Sequence, residues 1–188
     1  MPYLRSPELI SRRAARLLIV DVQEKLVPAI PVREKLIRNC RRLIEAARLF
    51  DVPVAATEQY PRGLGGTVRE LAELIDEIPD KARFSCAEVL NWGPAAEQRE
   101  DRWQVIVAGM EAHVCVLQTV LDLLSLGYRV FVVADAVASR GKLDWRIALE
   151  RMAASGAIIT TTESVLFEWC EVSGTPEFKE VSRLVKEG

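Results

Sequence analysis

A single histidine, His113, stands in the 188 residues. That scarcity leaves no material for a His-rich metal site or a catalytic histidine pair. The four cysteines, Cys40, Cys86, Cys115 and Cys170, form no CxxC and no Cys/His set at zinc-finger spacing. A basic excess is also missing, since 25 Lys and Arg face 27 Asp and Glu for a net charge of −2. This balance argues against a general nucleic-acid or anionic-membrane binder. No apolar run approaches the roughly 20 residues that span a bilayer. The opening 21 residues lack a long apolar h-region and a small-residue cleavage site, so a cytoplasmic location with free thiols is expected.

What is present is ample for a core. With 49% hydrophobic residues, the chain is expected to form a single domain over 1–188. A domain of this size buries about 70% of its unfolded surface and needs no disulfide or metal to stand. Residues 15–20 (ARLLIV) are a continuous apolar run closed by Asp21, as in a parallel strand covered on both faces. Apolar positions recur at helical spacing over 32–50. A second strand is predicted at 52–57 with Pro53 at its start, then a breaker-rich loop, a helix over 67–76 and a weak strand near 82–85. Farther on, strands are predicted at 104–108, 129–134 and 156–160. Helices are predicted at 113–126, 142–154 and 176–186, with Gly109 turning the chain and Gly127 closing the first of them. The alternation defines a doubly wound α/β fold.

In such folds ligands bind beyond the carboxyl ends of the strands, where the strand order reverses. Asp21 follows the first strand, Thr57 to Tyr60 the second, Met110 to Cys115 the fourth, and Asp135 to Arg140 the fifth. A reversal between the first and fourth strands would set Asp21 beside Cys115. Cys115 at the start of a helix is placed to act as a lowered-pKa nucleophile, or to pack as a small hydrophobe. Asp21, partly desolvated, suits a general base, or a turn carboxylate satisfying backbone donors. Lys81 reads locally as a solvated surface residue, and His113 as a capping residue or a second base. The loop Arg62 to Gly66 lacks the GxGxxG spacing and follows the wrong strand for a dinucleotide cradle. The tryptophans Trp92, Trp103, Trp145 and Trp169 are scattered, as core or subunit-contact residues are.

LLIVDVQEKLVPAI around Asp21, TEQYPRGLGGTV, KARFSC around Lys81 and VIVAGMEAHVCV running on to DAVASR occur in this order. Together they resemble the isochorismatase-like cysteine hydrolases over residues 16–165, nearer to isochorismatase-domain proteins than to nicotinamidases. The resemblance implies a mainly parallel six-stranded sheet of order 3-2-1-4-5-6 with helices on both faces. It implies a triad of Asp21, Lys81 and Cys115, and a cis peptide at Met110–Glu111. The backbone N–H groups of Glu111 and Cys115 would form the oxyanion hole. Nicotinamidases of the family hold a metal through histidines after the second strand. TEQYPRGLGG has none, so neither metal nor cofactor is expected. Isochorismatases proper cleave a vinyl ether without this cysteine, so Cys115 favours acyl transfer.

The expectation is a metal-independent cysteine hydrolase cleaving a C–N amide-type or related acyl bond of a small molecule. Gln59 and Tyr60 are expected to line its pocket. The partners are then a small-molecule substrate and, by resemblance, further copies of the chain, with neither nucleic acid nor membrane. Two other classes stay open: a catalytically silent binding protein of the same fold, and a nucleotide or flavin carrier, which lacks its glycine fingerprint here.

Overall fold

Every residue of Ala15–Val20 is buried, Arg16 included, so this strand has to lie inside a sheet covered on both sides. A computed structural model describes residues 3–98 and 101–186. In it the chain runs β1 (Ala15–Val20), α1 (Arg33–Leu49), β2 (Val54–Gln59), α2 (Pro61–Leu64), α3 (Arg69–Ala72), β3 (Asp80–Lys81) and α4 (Ala87–Leu90). The second half runs β4 (Gln104–Met110), a π-helical turn (Ala112–Val116), α5 (Leu117–Ser125), β5 (Arg129–Ala138), α6 (Lys142–Ala154), β6 (Ile158–Thr160), α7 (Thr162–Cys170) and α8 (Pro176–Lys186). The six strands pair in parallel in the order β3-β2-β1-β4-β5-β6.

The period of two along each central strand divides the core between the faces of the sheet. Leu17, Ile19, Ile106, Ala108 and Phe131 pack under α1, α7 and α8 against Leu43, Leu166, Trp169 and Leu184. Leu18, Val20, Val105, Val107 and Val132 pack under α5 and α6 against Val116, Val120, Leu123 and Met152. Each fully buried aliphatic side chain of this kind contributes about 1.5–3 kcal/mol. Among the described residues no helix is long and apolar enough to cross a membrane.

Several boundaries differ from the sequence reading. β2 begins at Val54 because Pro53 has no N–H to give; only its carbonyl joins the ladder, accepting from Leu17 N at 2.8 Å. The helix expected over 67–76 shrinks to one turn. Glu58 takes the Thr67 N–H and hydroxyl at 2.6 and 2.8 Å, and beyond Ala72 the chain closes through i→i−3 turns at Leu74 and Ile75. The weak strand lies at Asp80–Lys81 rather than 82–85, paired with Glu58 and Gln59. Gly109 does not turn the chain. It stays in β4 at φ +119°, where a Cβ would fall 2.1 Å from Val20 O. β5 runs to Ala138, and β6 starts at Ile158. α7 had no counterpart in the sequence reading.

The residues after β4 enter a π-helical turn rather than an α-helix, through a five-residue bond from Val116 N to Glu111 O at 3.2 Å. The Met110–Glu111 peptide is cis. Since β1 pairs with β2 on one side and β4 on the other, the chain reverses its direction of growth between β1 and β4. Val20 lies in register with Gly109 there, so Asp21 and Met110 leave the sheet side by side.

Candidate active site

Asp21 leaves β1 in a left-handed conformation, φ +50°, which a short polar side chain tolerates. Its N–H donates to Thr57 O at 3.1 Å, tying it to β2. The carboxylate is wholly buried and both oxygens are engaged. Oδ2 accepts from Lys81 Nζ at 2.7 Å and Oδ1 from the Thr57 hydroxyl at 2.8 Å. The Cys115 thiol lies near enough for the carboxylate charge to raise its pKa. A turn aspartate capping backbone donors would show none of this.

Lys81 is a buried residue on β3, in register with Gln59 on β2. Its ammonium donates to Asp21, to Gln59 Oε1 at 2.7 Å, and to the carbonyls of Phe84 and Arg83 at 2.9 and 3.2 Å. The bend over 82–85, which replaces the expected strand, is what turns those carbonyls inward. A buried ammonium is tolerable only with such a shell of acceptors around it. The surface reading of Lys81 is thereby corrected.

Burial pushes the Asp21 carboxyl above its usual range, with Lys81, Cys115 and Thr57 pulling the other way. Cys115 departs from the expectation of a lowered thiol pKa. Burial, and next the Asp21 charge, push the thiol well above its ordinary value, with Lys81 only partly opposing them. The dipole of a helix start, on which the expectation rested, does not outweigh desolvation plus an adjacent anion. At rest the Cys115 thiol is protonated.

Gln59 and Tyr60 take different places. Both ends of the Gln59 amide are engaged, Oε1 by Lys81 and Nε2 by Ala82 O at 2.8 Å, so it orients the lysine. Tyr60 is 59% exposed and its ring lies over Gly63. Glu111 is pinned through Oε1 by Arg140 Nε at 2.8 Å, and His113 Nδ1 pairs with Ser139 Oγ at 2.9 Å. Asp135 lies inside β5, where it accepts from Thr162 and Asn39. It ties α7 and α1 to the sheet.

Sequence reasoning assigned no part to four neighbours. Gln23 clasps the loops after β1 and β2, accepting from Gln59 N at 2.7 Å and donating to Gly65 O at 2.7 Å and Gln59 O at 3.0 Å. Cys86 Sγ lies 3.1 Å from Thr57 Oγ1. Because Thr57 spends its proton on Asp21, the Cys86 thiol is the donor. Cys86 N donates to Thr119 Oγ1 at 2.9 Å, and Thr119 donates to Cys115 O at 2.7 Å. The only sequence signal for this set was the position of Gln23 and Thr57 next to the carboxyl ends of β1 and β2.

A buried thiol, carboxylate and ammonium thus gather over the switch point of a doubly wound α/β sheet, where such folds bind their ligands. The chain belongs to the isochorismatase domain family, which matches residues 15–164. It is 39% identical over 171 residues to isochorismatase domain-containing protein 2A of Mus musculus, covering 91% of this chain and 82% of that one. It is 40% identical over 176 residues to the secreted isochorismatase effector Isc1 of Phytophthora sojae, covering 91% and 84%. Among solved structures, MAR1 ribonuclease from Caenorhabditis elegans superposes with a TM-score of 0.85 at 42% identity, covering 94% and 92%. Membership in this family supports a hydrolase.

Proposed function

We propose that the chain is a cysteine hydrolase that cleaves a C–N amide-type or related acyl bond of a small molecule, with Cys115 as nucleophile, Asp21 as base and Lys81 as the cation that holds both. The observation that carries this reading is the Asp21 carboxylate, buried at the switch point, bonded to Lys81 and Thr57 and close enough to the Cys115 thiol to raise its pKa. Burial raises the pKa of that carboxylate, which makes it a stronger proton acceptor than a solvated one.

The Cys115 proton passes to Asp21 as sulfur attacks the carbonyl carbon. Because the resting thiol is protonated, transfer and attack proceed together rather than from a standing thiolate. The carbonyl π electrons move to oxygen, and the N–H groups of Glu111 and Cys115 are the donors that would hold the oxyanion. As the C–N bond breaks, the amine leaves with the proton from Asp21, and a thioester remains on Cys115. Water then gives a proton to Asp21 and attacks the thioester; the acid departs and sulfur regains its proton. Lys81 keeps its charge throughout. The loop after β2 offers no histidine, and no step in this scheme uses a metal.

The test is a panel of amides, carbamoyl compounds, esters and RNA, the last because the nematode relative is described as a ribonuclease. Turnover of an acyl substrate that falls at least about 10³-fold in Cys115→Ser, with a trapped acyl mass on Cys115 in the wild type, is the expected result. RNA cleavage that survives Cys115→Ser unchanged would overturn the acyl reading.

We also infer that copies of the chain associate. Leu143 and Ile147, one turn apart on α6, are 62% and 48% exposed, an apolar face that a second copy would cover. Light scattering on the wild type and on Leu143→Glu/Ile147→Glu tests it. A monomeric wild type would contradict it.

A further inference from the structure

Away from the thiol, α1 carries arginine where a surface helix usually mixes its charges. Arg38, Arg41, Arg42 and Arg48 on α1 and Arg183 on α8 line one groove of about 540 Å³, with Glu45 as the only lining carboxylate. Arg38 and Arg42 are like charges one turn apart, an arrangement that destabilises a helix. The chain as a whole carries a net charge of −2, so this concentration is local.

The internal partners do not account for it. Arg41 pairs with Glu45 at 2.7 Å and Arg183 with Glu180 at 3.0 Å. Arg42 is held in place by neutral oxygens, Asn39 Oδ1 at 3.3 Å and Val185 O at 3.2 Å, which leaves its charge unbalanced. Arg38 and Arg48 are exposed, and their side chains make no hydrogen bond or ion pair among the described residues. Three guanidinium charges therefore face the groove without a carboxylate of their own.

We propose that this groove binds a compact oligophosphate, a di- or triphosphate group either free or carried by a nucleotide. The cations are arginine throughout, and the planar guanidinium fork meets phosphate oxygens in pairs and never loses its charge. The stripe from Arg38 to Arg48 is about 15 Å long at 1.5 Å per residue. That is a length for a short phosphate chain rather than a track for a strand. No aromatic residue lines the groove, so it has no platform for stacking bases. Neither neighbouring depression lengthens the track: the one that shares Arg48 carries Asp76 and Glu77, and the other begins at Arg12 and Arg13. Asp51 and Glu177 line it, and Arg102 there is bound to the carbonyls of Arg12 and Ala15. Because α1 leads from the carboxyl end of β1 back to the start of β2, the groove runs away from Cys115. The site is independent of the hydrolase reading.

Calorimetry with sodium triphosphate at low ionic strength tests the proposal on the wild type, on Cys115→Ala and on Arg38→Gln/Arg48→Gln. Those two arginines hold nothing else, and matched circular dichroism and melting curves check that the double variant folds. The expected result is saturable binding, unchanged in Cys115→Ala, at least about tenfold weaker in the double variant and weakened by salt. ATP binding more tightly than triphosphate identifies a nucleotide source, and equal affinity identifies the phosphate chain alone. Either keeps the proposal. It is overturned if triphosphate gives no saturable binding, or if the double variant binds as the wild type does. Tighter binding by oligoglutamate, or by an RNA duplex, would also overturn it.

Discussion

Lys81 sets its ammonium 2.7 Å from Asp21 Oδ2 across sixty residues of sequence, with both side chains buried. Neither charge could be taken out of water alone. Removing the lysine should therefore be costly and informative. Lys81→Met is expected to lose about 3–5 kcal/mol of stability at pH 8. Its pH dependence has a definite sign. Asp21 already has a raised pKa from burial, and losing Lys81 removes the largest opposing influence. A carboxyl whose folded pKa exceeds its unfolded one makes the folded state bind more protons, so stability falls as pH rises between the two values. Denaturant melts should find Lys81→Met least destabilised near pH 5 and most at pH 8. A deficit independent of pH would count against it.

Thr57 fixes the other carboxylate oxygen and passes the contact on to Cys86. Thr57→Val removes the hydroxyl at nearly constant shape, whereas Thr57→Ser keeps it. The valine variant should lose about tenfold or more in kcat, with its acid limb displaced upward because the carboxylate has lost a donor. The serine variant should stay near wild type. Equal pH profiles in the two variants would make Thr57 a packing residue.

Burial pushes Cys86 up to about 11 and Cys40 up to about 12. Neither should be alkylated appreciably at pH 8 in the folded protein. Peptide mapping after iodoacetamide treatment should find both intact, with full labelling only after denaturation.

At Gly109 a Cβ would meet the Val20 backbone at 2.1 Å, and the positive φ would strain any L side chain. Gly109→Ala should cost more than about 2 kcal/mol, because the strands carrying Asp21 and the π-helical turn would have to part. A melting temperature within a degree or two of wild type would refute this.

How much of this could be read from the chain varied with how local the cause was. The doubly wound sheet was legible because apolar runs such as ARLLIV and QVIVA alternate with helical periodicity, and burial patterns are local. The positions of Asp21 and Cys115 followed from the switch-point rule. Lys81 did not, because nothing within ten residues marks a lysine as buried; only its resemblance to a known motif singled it out. The high thiol pKa was missed for the same reason. It comes first from the closing of the core around the thiol and then from Asp21, 94 positions away in sequence. α7 was overlooked although Val165, Leu166, Trp169 and Cys170 lie at helical spacing, because it follows β6 after a single residue and reads as its continuation.

The most direct test is the alkylation rate of Cys115 against pH, in the wild type and in Asp21→Asn, read beside turnover of the best panel substrate. Burial raises the thiol pKa most, the carboxylate raises it further and Lys81 lowers it, so removing the negative charge leaves burial alone to oppose the ammonium. The thiol profile should move to lower pH in Asp21→Asn, together with a loss of about 10²–10⁴-fold in turnover for want of a base. A thiol made more acidic yet less productive is the signature of Asp21 as base. An unmoved thiol profile, or turnover retained with the asparagine, would contradict it.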